Sequence, residues 1–233
     1  MTSMCEAVVG SRLAQLWWTE GTIAVASFTL WIALFRAVEV RCSARPTLTE
    51  QGKAYVSYYA LVFMWSSIVP PTASEFGCPL GWGDASYLTL EVCAGIVAYD
   101  FVFFWLHLAM HEWPKLGLTL GHLKHHELDG REAGCNETAG RVTHHSAADG
   151  ALQVIVNILV QRHTPWGAVK SKLARWLHNI IVTFMLTEAH TSAPWPRVAR
   201  RLFAGVRDHH LHHRHRGAPY QQFFSCARSS LLH

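Results

Sequence analysis

Residues 87–111 read YLTLEVCAGIVAYDFVFFWLHLAMH. The run is longer than the roughly 20 residues a helix needs to cross a bilayer. It closes on His107-Leu-Ala-Met-His111, an HxxxH pair. On a helix, positions i and i+4 are neighbours on one face, and two imidazoles so placed can grip one metal ion. The stretch therefore predicts a membrane helix that delivers two ligands to the membrane edge. Glu91 and Asp100 interrupt it. An ionisable residue at membrane depth is costly and is a functional candidate by default. Asp100 lies on the same helix face as His107; bonding to a neighbouring helix is the plainer role for it.

Two further apolar stretches precede this one. Residues 16–40, LWWTEGTIAVASFTLWIALFRAVEV, are long enough to span, with Trp17 and Trp18 marking an interface near Glu20. The first stretch lacks the basic start and small-residue cleavage site of a signal peptide. Residues 54–72, AYVSYYALVFMWSSIVPPT, end at Pro70 and Pro71. Arg36, Arg41, Arg45 and Lys53 follow the first stretch, whereas the loop 73–86 carries Glu75 and Asp84 and no Lys or Arg. The positive-inside rule puts the first loop in the cytosol and the second outside it. The third span then returns to the cytosol near residue 107. The stretches 150–161 and 176–190 are too short to span with ease and suit a hairpin or an interfacial pair.

Composition agrees with a membrane bundle. Half of the 233 residues are hydrophobic and 15% are charged, more apolar than an average soluble domain. A soluble helical protein with a large core is the alternative. The six cysteines are scattered without a CxxC and read as reduced thiols. The sequon Asn136-Glu137-Thr138 falls on the side assigned to the cytosol, so it reads as chance. No Gly-rich phosphate loop or nucleic-acid module is visible. The expected fold is all-α: an integral membrane helical bundle with a cytosolic histidine-rich helical cap. One domain covers 1–233, with N-terminal spans in 1–94 and a histidine-box region in 95–225.

All sixteen histidines lie at or after residue 107. His122, His125 and His126 stand at i, i+3 and i+4, and His209, His212 and His213 repeat the spacing. Each trio is predicted to share one helical face, in helices at 119–128 and 207–215. With His107 and His111 this makes eight imidazoles. One tetrahedral zinc takes at most four ligands, so eight suggest two ions. Imidazole suits iron, zinc, copper and nickel alike. No Cys lies in any cluster, which argues against an iron–sulfur or structural Cys-zinc site.

These boxes resemble the fatty acid hydroxylase superfamily, which includes the C4-methylsterol oxidases and sterol desaturases. The likeness covers roughly 95–225. It rests on YDFVFFW at 99–105 before HxxxH, HLKHHEL at 122–128, EAHTSAPW at 188–195 and DHHLHH at 208–213. PYQQFF at 219–224 sits where members carry an Asn-Tyr-Gly-type segment. The resemblance implies a membrane-bound, non-haem di-iron oxygenase that hydroxylates or desaturates a fatty acyl or sterol lipid. It would use O2 and electrons from NAD(P)H, delivered by a separate donor such as cytochrome b5 or a reductase. It implies His190 as a further ligand, and an endoplasmic reticulum membrane with the boxes facing the cytosol.

The expected metal ligands are His107, His111, His122, His125, His126, His145, His190, His209, His212 and His213. Asp100 and Glu188 are the candidate catalytic residues. With Glu127 and Asp208 they are also candidates to accept from the outward ring nitrogens of the ligands. His145, next to His144, is a ligand or lines the surface; His210 and His215 are expected outside the ligand set, and His163, His178 and His233 as structural or solvated. The chain departs from the family at Pro219 and in its CARSSLLH ending, which puts the back wall of the site in question. Two rival readings are a histidine-rich metal transporter, which needs ligands at mid-span, and an inactive lipid-binding relative.

Overall fold

The computed structural model describes residues 10–11, 15–39, 48–69, 72–76, 82–126, 138–191, 205–215, 220 and 222–224. The regular elements among them are helical: α1 (Trp18–Val38), α2 (Leu48–Ile68), α3 (Trp82–Glu112), α4 (Pro114–Leu120), α5 (Ala147–Arg162), α6 (Lys172–Ala189) and α7 (Gly205–His215). Short 3-10 turns cover Ala73–Phe76, His122–His126 and Ala139–Thr143. α1 and the Asp84–Glu112 part of α3 are long and apolar enough to cross a membrane. Their outward faces carry exposed Leu30, Leu34, Val97, Phe101 and Trp105. α2 has bilayer length but begins before the apolar stretch, and Gln51 and Lys53 lie in its first turns.

Side-chain bonds fix the helix directions. Glu20 meets Arg175 at one end and Glu39 meets Thr191 at the other, so α1 and α6 run parallel. Ser171 donates to Glu91, and Tyr99 packs edge-on to His178, so α3 runs the same way. Tyr59 bonds Thr22 and Tyr55 bonds Thr29, which makes α2 antiparallel. α5 returns with α2: Asp149 lies at the histidine end and Arg162 at the other. Contacts run α1 to α6, α6 to α3, α3 to α5, α5 to α2 and α2 to α1, a closed ring of five helices. The two shorter apolar stretches thus become α5 and α6, walls of the ring.

The core seals one side of the ring. Tyr99 stacks between Phe103 and Phe223, with Ile96, Val182 and Leu186 around them. Fully burying one such large side chain contributes about 1.5–3 kcal/mol. Helix starts are set by local chemistry. Ser146 accepts from the Asp149 amide and Ser171 from the Ala174 amide, the usual work of an N-cap hydroxyl.

At the end away from the histidines, charges pair with charges. Glu75 bonds Arg162 at 2.6 Å and Arg175 at 2.8 Å, and Arg175 also reaches Glu20 at 3.2 Å. Burial alone would raise the Glu75 carboxyl; the Thr72 amide, Arg175 and Arg162 outweigh it and hold it below the usual range.

Candidate metal centre

α3 runs straight into the site, with His107 and His111 on its last two turns. The chain then folds back at once. Pro114 starts α4, and Gly121 at φ 66 ends it in the left-handed region. Gly117 sits so close to the Met110 carbonyl that a Cβ there would overlap it. This tight return places the 122–126 turn beside the end of α3. The Ser146 hydroxyl bonds the Leu120 carbonyl and ties α5 to the same turn.

Two groups of imidazoles result. His107, His111, His122 and His126 form one; His125, His190, His209 and His213 form the other. Within each group one ring nitrogen per residue lies within 4.8 Å of all the others. His212 joins the first group, its ring centroid 4.5 Å from that of His107 and 4.8 Å from that of His111. The two groups share a border, where His126 and His213 stand 4.5 Å apart.

The trios do not each serve one group. His122–His126 is a 3-10 turn rather than part of a helix over 119–128. It sends His122 and His126 to the first group and His125 to the second. In α7, His209 and His213 go to the second group, while His212, offset around the helix, reaches the first. Each HxxHH box straddles both groups; the first is a 3-10 turn in place of the expected helix, whereas His209, His212 and His213 share one face of α7 as expected.

Four of the outward ring nitrogens have acceptors. His107 Nδ1 donates to the Tyr220 carbonyl at 2.9 Å, His125 Nδ1 to the His144 carbonyl at 3.0 Å, and His190 Nδ1 to the Leu186 carbonyl at 2.7 Å. His122 Nδ1 donates to Asp149 at 3.0 Å. Such bonds fix the tautomer and aim the Nε2 lone pair inward. Nε2 atoms then face each other: His111 and His122 at 3.3 Å, His125 and His190 at 3.4 Å, His190 and His209 at 2.9 Å, His209 and His213 at 2.9 Å. His107 Nε2 is buried without a hydrogen bond. Ligand nitrogens each about 2.1 Å from one ion stand about 3.0–3.4 Å apart, so the donor set fits a metal ion in each group. Burial, reinforced by neighbouring imidazoles, pushes His125 and His209 well below the ordinary histidine range, which keeps their lone pairs available.

The other expected residues take varied places. His145 lies outside both groups, its ring bonded to the Ser146 carbonyl, and lines the cavity above them. The Asp100 carboxylate accepts from the backbone amides of Gln222 at 3.2 Å and Phe223 at 2.8 Å. It clamps the tail segment whose Tyr220 carbonyl orients His107. Glu188 is half-buried on the last turn of α6, two residues before His190, and Asp208 is buried beside His209. Glu127, Pro219 and His233 lie outside the described residues. His163 and His215 are exposed, whereas His178 is buried in a polar network described below. Sequence reading missed Asp149, whose carboxyl His122 and Gln153 hold below the usual range against the effect of burial. Its signal was masked: Ser146-Ala-Ala-Asp149 reads as a helix start.

Above the histidines, the ring of helices encloses a cavity of about 340 Å³. Its wall includes Ala24 and Phe28 of α1, Phe103 of α3 and Val182 and Leu186 of α6, and its floor includes His107, His122, His125, His190 and His209.

A helical bundle with membrane-length helices and a buried double imidazole cluster under an apolar cavity defines a class: a membrane protein of the histidine-box type, with two groups of side chains able to hold a metal ion. Residues 92–227, more than half of the chain, match the fatty acid hydroxylase family, and the chain belongs to that family. Membership makes it an oxidoreductase of the lipid hydroxylase and desaturase kind, integral to a membrane. No curated protein and no solved structure matches the chain.

Proposed function

We propose that the protein is a non-haem di-iron oxygenase that hydroxylates or desaturates a lipid drawn from the bilayer. One observation carries this: two groups of inward-aimed imidazoles form the floor of an apolar cavity ringed by membrane-length helices. His107, His111, His122, His126 and His212 would hold one iron, and His125, His190, His209 and His213 the other. When bound, the irons supply the activation of O2. The chain does the rest. Asp149 and the carbonyls of residues 144, 186 and 220 hold the imidazoles in one tautomer. Tyr99, Phe103 and Phe223 close the wall and keep water from the reacting carbon. Asp100 acts as a positioning residue, through the tail amides.

Electrons come from NAD(P)H through a separate protein, cytochrome b5 or a reductase. The membrane is that of the endoplasmic reticulum, with the histidine end toward the cytosol, as the charge bias of the loops favours. Ligands gathered at one end of the bundle speak against a metal transporter, which needs them along a crossing path. The described tail residues still cap the first group, which favours an active enzyme over an inactive relative. The test is O2-dependent lipid oxidation by iron-loaded protein with a reductase and NAD(P)H. Loss of product in His125→Ala supports the reading; iron-loaded protein that oxidises no sterol or fatty acyl lipid contradicts it.

A further inference from the structure

The cavity has two unlike ends. The histidines form one, and Tyr58 of α2, Asn157 of α5 and Asn179 of α6 form the other. This far end is built from buried polar groups. Asn157 Nδ2 donates to Asn179 Oδ1 at 3.1 Å, and Gln161 Nε2 donates to the same oxygen at 2.8 Å. His178 Nε2 donates to Asn157 Oδ1 at 3.2 Å. Both bonds to Asn179 engage the same end of its amide. Its Nδ2 is left with no hydrogen-bond partner, although the residue is only 1% exposed. An unmet buried donor costs about 1–3 kcal/mol, and this one belongs to a residue of the cavity wall.

An oxygen atom of a ligand would meet it. A hydroxyl suits the place best, since it accepts from Asn179 Nδ2 and can donate to the Tyr58 oxygen. A carboxylate does not suit it. Among the described residues that line the cavity, the one Lys or Arg is Lys53. It stands on α2 five residues before Tyr58, about 7.5 Å nearer the histidine end. Along α6, Asn179 precedes His190 by eleven residues, about 16 Å of helix.

We propose that the cavity takes an elongated lipid bearing one uncharged hydroxyl, which Asn179 and Tyr58 hold about 16 Å from the carbon presented to the histidines. Asn179, Tyr58 and Asn157 are thus specificity residues. This rests on the oxygenase reading for the events at the histidines, but the binding itself does not need the metal.

The experiment is equilibrium binding to detergent-purified, metal-free full chain. The probes are radiolabelled cholesterol, its deoxy counterpart, hexadecanol, hexadecane and hexadecanoate. At least one hydroxylated probe is expected to bind about tenfold tighter than its deoxy or alkane partner. Whether that probe is the sterol or the straight-chain alcohol tells which skeleton the cavity fits. Asn179→Leu and Tyr58→Phe should each shrink the ratio and leave the deoxy probe unchanged. Tyr58→Phe removes one hydroxyl and no packing, so it remains informative if Asn179→Leu fails to fold. Equal binding of each hydroxylated probe and its partner overturns the proposal. So does hexadecanoate binding tightest in a Lys53-dependent way, a ratio untouched by the variants, or no probe binding. A hydroxyl preference in a protein that oxidises nothing would overturn the oxygenase reading alone.

Discussion

The two ends of the bundle bury polar groups on opposite principles. At one end Glu20, Glu75, Arg162 and Arg175 pair plus with minus, and the cluster is complete in itself. At the other, nine imidazoles converge with like atoms facing like, Nε2 against Nε2 at 2.9–3.4 Å. Lone pairs at that range repel unless a cation lies between them. A self-satisfied cluster holds helices together, while one of facing ring nitrogens is suited to hold a cation. Removing a residue from the first should cost stability and spare metal. Removing one from the second should cost metal and spare the fold.

The largest expected effect is at the histidines. His122→Ala and His209→Ala should each lower bound iron from two to one per chain and bring lipid oxidation to background, with helical circular dichroism kept. Next come the ion pairs. Arg175→Met leaves Glu75 with a broken network, and loss of one partner of a buried pair costs about 3–5 kcal/mol. Thermal unfolding in detergent should show that drop, while the folded fraction keeps both irons. Glu75 also sets an acid limit. Its folded carboxyl is held below the unfolded value. Its contribution is therefore present above the unfolded pKa of about 4.3 and is lost as pH falls from there through the folded pKa. Glu75→Gln should flatten that acid loss.

Smaller effects separate ligands from their supports. Asp149→Asn keeps the shape but weakens the hold on the His122 ring, and iron affinity of the first site should fall about 10–100-fold. Competition with a chelator would measure it. Asp100→Asn keeps an acceptor for the tail amides and exchanges a charged bond for a neutral one. About 1 kcal/mol of stability should go, with iron content unchanged and the oxidation rate lowered through the less firmly placed tail. A larger loss of iron in Asp100→Asn than in Asp149→Asn would break the ranking.

Much of this was legible in the sequence. The run 87–111 predicted a membrane-length helix ending in two clustered histidines, and the histidine spacings pointed to two groups. What stayed hidden was how the trios divide. Gly121 ends α4 just before His122, so the second box forms a tight 3-10 turn that spacing alone reads as a helix. Asp149 was hidden because it stands outside the histidine boxes, at the start of a helix where an acidic residue is ordinary. α5 and α6 looked too short to span with ease and suited a hairpin or an interfacial pair, yet they wall the cavity. Their buried faces carry Asn157, Gln161, His178 and Asn179, which dilute the apolar signal where a polar pocket end is built. The boundary of α2 was missed because Gln51 and Lys53 lie inside the helix, not before it.

The decisive measurement is the metal content of purified, iron-supplemented protein, taken for the wild type, His122→Ala and His209→Ala. Two irons per chain in the wild type and one in each variant is the expected result. One zinc per chain, unchanged by either substitution, would contradict the two-site centre.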